Sequence, residues 1–131
     1  MVASLSNFVR SLLVLAAVLL AVATGLGAYA SHGLDKLEPS ALETFKTAVD
    51  YQFFHALGLF GLALLIDRHP NARTLAVAAL GLIVGVALFC GGLYASSFGG
   101  PRFLAQLAPV GGTALIVSWL VAAVGVLRLG R

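Results

Sequence analysis

The charged residues of this chain are few, and they are spaced so that four long stretches carry none. Eight basic and five acidic residues divide the 131-residue chain into uncharged stretches at 11–31, 51–66, 74–101 and 103–127. A hydrocarbon core about 30 Å thick is crossed by about 20 helical residues that rise 1.5 Å each. Three stretches reach that length alone, and the second reaches it with the residues before it. The spacing therefore predicts four membrane-spanning helices.

Composition excludes the soluble classes of protein. Hydrophobic residues make up 60% of the chain and charged residues 10%, whereas charged residues make up about 25% of an ordinary globular domain. A soluble protein of this size could not bury so much apolar surface. The net charge of +3 comes from scattered basic residues, so we expect no nucleic-acid partner. The single Cys excludes a disulfide framework.

We predict an all-α fold, namely a single transmembrane domain over residues 1–131 that forms an integral membrane four-helix bundle. The expected helices are at about 9–30, 45–67, 74–97 and 108–128. The four prolines fall in or beside the connections, where proline does not interrupt a helix interior; they are Pro39, Pro70, Pro101 and Pro109. The continuous apolar runs lack the alternation of a transmembrane β-strand.

The distribution of Lys and Arg predicts the orientation of the bundle, because cytoplasmic connections carry an excess of positive charge. If the N-terminus is cytoplasmic, five basic residues lie inside, namely Arg10, Arg68, Arg73, Arg128 and Arg131. Three then lie outside, namely Lys36, Lys46 and Arg102. We therefore expect both termini in the cytoplasm.

The connection before the second helix is the most polar one. Ser40 and Glu43 have the spacing of a capping box, in which both side chains satisfy free N–H groups at a helix start. The sequence therefore predicts a helix from about residue 41, whose first turns lie in the outer headgroup zone or along it.

Small residues form stripes on the third and fourth helices. Apolar burial gives little association in lipid, so close packing through small residues holds such helices together. We expect packing seams at Gly81, Gly85 and Gly92 in the third helix. In the fourth helix we expect them at Gly111, Gly112 and Gly125. A substrate path along these stripes would need ionisable residues there, and the sequence has none.

Polar side chains concentrate at one end of the predicted bundle. All three tyrosines are placed at the outer ends of their helices, and we select five ligand-binding candidates: His32, Tyr51, Gln52, His55 and Tyr94. Projection of the second helix puts Tyr51, His55 and Gly58 on one face with Thr44, Thr47 and Ala48. We expect this face to point into the bundle, since a lipid-facing His is costly. The result would be a polar pocket near the outer face.

Three roles for the two histidines stay open. In the first, His55 bonds a backbone group or a tyrosine to fix packing, and His32 caps the carboxyl end of the first helix. In the second, His32 and His55 bind haem or a metal ion, for which His is a common ligand. In the third, His55 with Tyr51 and Asp50 relays protons or contacts a lipid headgroup or quinone.

Two further side chains carry narrower expectations. Cys90 lies within the third helix without a basic neighbour in the sequence, so we expect an inert buried thiol. Trp119 lies well inside the fourth span, away from the interfacial belt where Trp is enriched. Its N–H therefore needs a partner in another helix. Nucleophile–base sets and nucleotide-binding glycine patterns are absent from the sequence.

Four segments together resemble the YgdD-like family of small inner membrane proteins. Residues 27–34 (GAYASHGL) resemble its G-A-F-G-A-H-x-L motif, and residues 51–57 (YQFFHAL) resemble Y-Q-x-x-H-x-L. Residues 88–94 (LFCGGLY) are similar to L-F-S-G-S-L-Y. Residues 109–112 (PVGG) with 118–119 (SW) resemble P-V-G-G followed by G-W. The resemblance implies a four-helix plasma-membrane protein, and it implies no reaction, because the family is one of unknown function.

These observations favour a multi-pass inner membrane protein that acts by binding or assembly and not as an enzyme. The expected partners are membrane lipid, a larger membrane complex, a quinone or a second copy of the chain. No cofactor is expected in this first hypothesis. The alternatives are a haem or metal protein using His32 and His55, and a small transporter or channel with a water-filled path past His55.

Overall fold

The computed structural model describes residues 3–131 and contains four long helices and one short one. They are α1 (Asn7–His32), α2 (Pro39–Arg68), α3 (Arg73–Ser97), α4 (Arg102–Ala105) and α5 (Leu107–Leu127). Each long helix is apolar and long enough to cross a membrane, and α4 with α5 makes up the fourth span. The prediction of four spans is confirmed. The separate turn of α4 was not predicted.

The helices pack as neighbours in sequence, with α3 at the centre. Helix α1 packs against α2, α2 against α3, and α3 against α5, where the contact is most extensive. Within residues 3–131, neither α1 nor α2 makes a comparable backbone contact with α5. Because α2 and α5 both flank α3 without closing on each other, a groove remains between them.

Helix α2 begins earlier than the sequence predicts, and the capping-box prediction is wrong. Pro39 occupies the first turn after Glu38, and the N-cap makes no side-chain hydrogen bond. Proline at this position has its φ preset for a helix and lacks an N–H that would be unpaired there. Ser40 is therefore already helical, and its carbonyl oxygen accepts a hydrogen bond from the Thr44 hydroxyl at 3.0 Å.

The connection between α3 and α5 reverses the chain in a tight turn. Gly99 has a φ of +70°, which a residue with a Cβ rarely adopts. The Gly100 N–H then donates to the Ala95 carbonyl oxygen at 2.8 Å. Pro109 falls in the first turn of α5, where its missing N–H costs no helical hydrogen bond.

The glycine stripes lie where α3 meets α5. A Cβ built on Gly85 would come within 2.7 Å of the Leu115 side chain, and one on Gly92 within 2.8 Å of the Leu104 carbonyl oxygen. A Cβ on Gly111 would collide with the backbone nitrogen of Phe89. Gly81 faces Ser118 and Gly125 faces Leu75 in the same contact, whereas a Cβ at Gly112 would make only an ordinary contact with the Phe89 ring. The backbones of α3 and α5 therefore approach at a distance that only glycine allows.

The buried face of α2 is rotated from the predicted one. Phe45, Val49, Gln52 and Ala56 are buried, whereas Tyr51 is 41% exposed. Of the six residues projected onto the inner face, only Ala48 is buried, and Thr47 is exposed. The expectation that this face is buried is therefore wrong for Tyr51, whereas His55 is half-buried. They lie on the flank of α2 that faces α3 and α5.

Candidate functional site

Gln52 joins three helices through its amide. Its Nε2 donates to the Leu19 carbonyl oxygen of α1 at 2.8 Å, and its Oε1 accepts from the Tyr94 hydroxyl of α3 at 2.7 Å. Gln52 is only 4% exposed, and a buried amide is stable only when it is bonded. Every buried side-chain N or O atom within residues 3–131 has a partner. The structure thus brings Gln52 and Tyr94 together, but their polar groups already form hydrogen bonds within the protein.

The pairing of Gln52 with Tyr94 follows from helix geometry. Side chains on a helix tilt toward its N-terminus. Since α2 and α3 are antiparallel, the Gln52 and Tyr94 side chains lean toward each other. Phe45 packs on the Tyr94 ring with centroids 5.1 Å apart, which holds the phenol in place. In the same layer the Cys90 thiol donates to the Ala48 carbonyl oxygen at 3.4 Å, so Cys90 is buried as expected.

His55 and Trp119 form a second polar contact, between α2 and α5. The indole Nε1–H of Trp119 donates to Nδ1 of His55 at 3.1 Å. The prediction that this indole needs a partner in another helix is confirmed. The Trp119 ring also covers Gly58, where a Cβ would lie 2.5 Å from the indole. The absence of a side chain at Gly58 therefore lets Trp119 bridge the two helices.

The bond to Trp119 assigns the protonation of His55. Because Nδ1 accepts a hydrogen bond, it carries no proton, and the neutral ring has its proton on Nε2. Among residues 3–131 Trp119 is the one hydrogen-bond partner of His55. Tyr51 lies against His55 with ring centroids 5.7 Å apart and against Phe89 at 4.8 Å. His55 is thus held in an aromatic layer, with its Nε2–H directed away from Trp119.

Two of the polar side chains lie well inside α2 and not at its end. His55 is close to the midpoint of α2, and Tyr51 lies 12 residues after Pro39, which is about 18 Å along the helix. Tyr29 and Tyr94 do lie within one turn of their helix ends. How far these side chains lie from the membrane surface depends on how many of the first turns of α2 extend beyond the hydrocarbon, so their placement near the outer face stays a prediction.

His32 and His55 are far apart. His32 is exposed at the end of α1, 13 residues beyond Leu19, and His55 lies three residues beyond Gln52 in the antiparallel α2. At 1.5 Å per residue the two are separated by about 24 Å along the helix axes. One metal ion or haem cannot be held by both within a single chain. Within residues 3–131 no group of three or more His, Cys, Asp or Glu side chains converges on a metal site.

A groove between α2 and α5 begins at Trp119 and runs toward the end of the bundle that holds the α2–α3 connection. We call it the α2–α5 groove. Its volume is about 400 Å³, and it is lined by Gly58, Gly61, Leu62 and Leu65 of α2 and by Trp119, Ala122, Ala123 and Val126 of α5. The groove is wide because four of the lining residues are small, namely Gly58, Gly61, Ala122 and Ala123. Trp119 closes the end that is farther from the α2–α3 connection.

Sequence reasoning missed this groove. The predicted site residues are polar, whereas the groove is lined mainly by small and apolar side chains, which are typical of any membrane-spanning helix. Gly58 and Gly61 at a spacing of three were a usable signal, since small residues on one helix face allow close approach. No residue pattern indicates that α5 is separated from α2 at this point.

Comparison with known proteins identifies relatives over most of the chain. Residues 26–112 match the family described as a protein of unknown function, DUF423. The UPF0382 membrane protein YwdK of Bacillus subtilis is 35% identical over 117 residues, which cover 88% of this chain and 95% of that protein. The UPF0382 inner membrane protein YgdD of Escherichia coli is 32% identical over 123 residues, which cover 93% of each. No solved structure matches the chain.

Proposed function

We propose that this chain, which belongs to the UPF0382 (DUF423) family of multi-pass cell-membrane proteins of unknown function, acts by binding a membrane lipid and not by catalysis. The observation that carries the proposal is the α2–α5 groove closed by Trp119. An acyl chain of a lipid is the expected occupant, and the protein would serve as an accessory to lipid or to a lipid-dependent membrane complex.

The groove favours a lipid because of what surrounds it. Both its walls are apolar, and α2 and α5 are exposed on the sides away from α3, with Leu57, Phe60 and Leu120 each at least 36% exposed. In a bilayer such a groove opens to hydrocarbon, where bound chains and small side chains pack by close contact. Its length from Gly58 to Leu65 is about 10 Å at 1.5 Å per residue, which accommodates part of one acyl chain.

The His55–Trp119 hydrogen bond supports the same role. A Trp N–H without a partner inside a membrane costs several kcal/mol, about as much as an unsatisfied backbone group. His55 removes that cost and fixes the indole across Gly58. The wall that ends the groove is therefore rigid. We assign His55 a positioning role, since its acceptor atom already bonds Trp119.

The other functions considered receive less support. The interior is packed with apolar side chains, and its buried polar residues within 3–131 are Gln52, Ser97 and Ser118. A transporter of charged cargo needs ionisable groups along its path, and the side chains of Gln and Ser do not ionise at physiological pH. The separation of His32 from His55 removes the basis for a shared haem or metal site.

Filling the groove is expected to weaken lipid binding. A Cβ at Gly61 meets nothing within 4 Å, so Gly61→Leu fits and occupies the space of about two methylenes of the ligand, each worth about 0.8 kcal/mol. We expect about tenfold weaker binding of phosphatidylcholine brominated on its acyl chains, measured in detergent by quenching of Trp119. This residue is the only Trp, so the signal comes from the side chain that ends the groove, and the difference between variants reports the groove.

Gly91→Leu is the matched control, because Gly91 is exposed on α3 outside the groove and its Cβ position is also open. It is expected to leave the quenching curve unchanged. Equal binding by the wild type and Gly61→Leu contradicts the proposal. A lipid-soluble quinone serves as a competing probe, and displacement of the brominated lipid by equimolar quinone favours the quinone hypothesis instead.

We also propose that both chain termini face the cytoplasm, on the support of five basic residues at that end against three at the other. Cysteines introduced by Ser40→Cys and Asn71→Cys test the orientation, with Cys90→Ser in the background. A membrane-impermeant maleimide is expected to label position 40 in intact cells and position 71 only after permeabilisation. The reverse pattern contradicts this orientation.

A further inference from the structure

A second cleft lies at the end of the bundle that holds the α2–α3 connection and the end of α5. Its volume is about 580 Å³, and its lining includes Arg68, Arg73, Arg128 and Arg131 together with His69 and Thr74. We call it the basic cleft. The four arginines come from three separate places in the chain, and the fold brings them around one space.

The charge of the basic cleft is strongly unbalanced. Asp67 is the only acidic residue of the chain after Asp50, so at most one carboxylate side chain of this region is available to four guanidinium groups. Arg68, Arg73 and Arg128 are all exposed. Guanidinium groups bind both carboxylate and phosphate oxygens in bidentate geometry, and a phosphate has enough oxygens to contact several of these groups at once.

The start of α3 adds a second attraction for an anion. Ala72 is its N-cap, and no side chain caps the first turn. The Arg73 and Leu75 N–H groups donate to the carbonyl oxygens of Asn71 and Ala72, so the Thr74 N–H is the one that this turn leaves available. Arg73 and Thr74, which open this helix, line the cleft. Backbone N–H groups and the helix dipole favour negative charge at such a position. The cleft thus joins an uncapped helix N-terminus to a ring of arginines.

The basic cleft follows the α2–α5 groove along both helices. On α2 the groove residues Gly58, Gly61 and Leu65 are followed by Arg68 of the cleft, and on α5 Val126 is followed by Arg128. From Gly58 to Arg68 the distance along α2 is about 15 Å, which is half of a hydrocarbon core about 30 Å thick. The two spaces together therefore have about the length of one leaflet, and their charged part is at the helix ends.

From this succession along the two helices we propose that the ligand is an anionic phospholipid, whose phosphate lies in the basic cleft and whose acyl chain lies in the α2–α5 groove. This inference rests on the proposed lipid-binding function and adds the class of headgroup. Such a lipid would contact both the arginines of the basic cleft and the apolar walls of the groove, whereas a free phosphate would contact only the arginines.

The test compares brominated phosphatidylglycerol with brominated phosphatidylcholine on the full-length protein, again by quenching of Trp119. Near-physiological salt, about 0.15 M, suppresses attraction by diffuse surface charge. The wild type is expected to bind phosphatidylglycerol about tenfold more tightly. Arg68→Gln and Arg128→Gln are each expected to weaken phosphatidylglycerol binding about fivefold and to leave phosphatidylcholine binding unchanged.

Arg10→Gln is the matched control, since Arg10 is an exposed arginine of α1 that does not line the cleft. An equal loss with Arg10→Gln overturns the headgroup site and indicates general surface charge. Equal binding of the two lipids overturns it as well, and the proposed lipid-binding function then survives if Gly61→Leu still weakens both. Displacement of phosphatidylglycerol by millimolar inorganic phosphate overturns it in favour of a free-anion site.

Discussion

Gly111→Ala is expected to destabilise the protein more than any other conservative substitution in the membrane-spanning part. The added methyl group would overlap the backbone nitrogen of Phe89 and lie 2.8 Å from the Leu88 carbonyl carbon. Backbone atoms cannot rotate away as a side chain can, so α3 and α5 would have to separate along their most extensive contact. Overpacking of this kind costs 1–3 kcal/mol and occasionally more, and we expect about 3 kcal/mol here.

Substitutions at two other glycines serve as comparisons for Gly111→Ala. A Cβ at Gly85 would meet mainly the Leu115 side chain, which can adjust in part, and a Cβ at Gly91 would meet nothing within 4 Å. Unfolding in sodium dodecyl sulfate, followed by Trp119 fluorescence, is expected to rank Gly111→Ala as most destabilised, then Gly85→Ala, with Gly91→Ala close to the wild type. Equal stability of Gly111→Ala and Gly91→Ala would show that the helices are not packed this closely.

Gln52→Leu is expected to cause the next largest loss of stability. It removes the bond to the Leu19 carbonyl oxygen and leaves the Tyr94 hydroxyl without its acceptor. An unsatisfied buried polar group costs about 1–3 kcal/mol, and we expect about 2 kcal/mol in the same unfolding assay. Helix α1 should loosen first, because Gln52 provides a hydrogen bond between α1 and α2 in a contact otherwise made by apolar packing.

A double-mutant cycle separates the hydrogen bond from simple loss of packing. Tyr94→Phe removes only the hydroxyl, and we expect a loss of about 1 kcal/mol from the unpaired Gln52 oxygen. In the double variant Gln52→Leu/Tyr94→Phe no polar group is left unpaired, so the combined loss should be smaller than the sum by about 1 kcal/mol. Strict additivity of the two losses would mean that the Gln52–Tyr94 bond does not contribute in the membrane.

The spans and their order were predictable because they depend on where charge is tolerated. Charged residues are excluded from hydrocarbon wherever a helix crosses it, so the gaps between Arg10, Asp50, Arg73 and Arg128 outline the helices directly. The small residues of α3 and α5 likewise predict a close contact between helices. Both signals belong to single helices and need no knowledge of how the helices are arranged.

The rotation of α2 was not predictable in the same way. Two faces of this helix carry polar side chains, one with His55 and one with Gln52, and the more ionisable face was assigned to the interior. The structure buries Gln52 because α1 and α3 supply a carbonyl oxygen and a phenol at the correct height. His55 stays on the flank because Trp119 of α5 reaches it there.

The candidate site was missed for a related reason. A groove is a property of two helices that do not meet, and no residue within it signals that separation. Arg68 and Arg128 were used only to predict orientation, since excess basic residues at cytoplasmic helix ends are common. Their convergence on one cleft, which follows the groove along α2 and α5, is what supports the proposed headgroup site.

Native mass spectrometry of the full-length protein, released from membranes in mild detergent, tests lipid binding in the α2–α5 groove most directly. The predicted result is a wild-type protein that retains one phospholipid per chain and a Gly61→Leu variant that retains little. Gly91→Leu should keep the lipid. A wild type without bound lipid, or a Gly61→Leu variant that retains as much as the wild type, would contradict lipid binding in this groove.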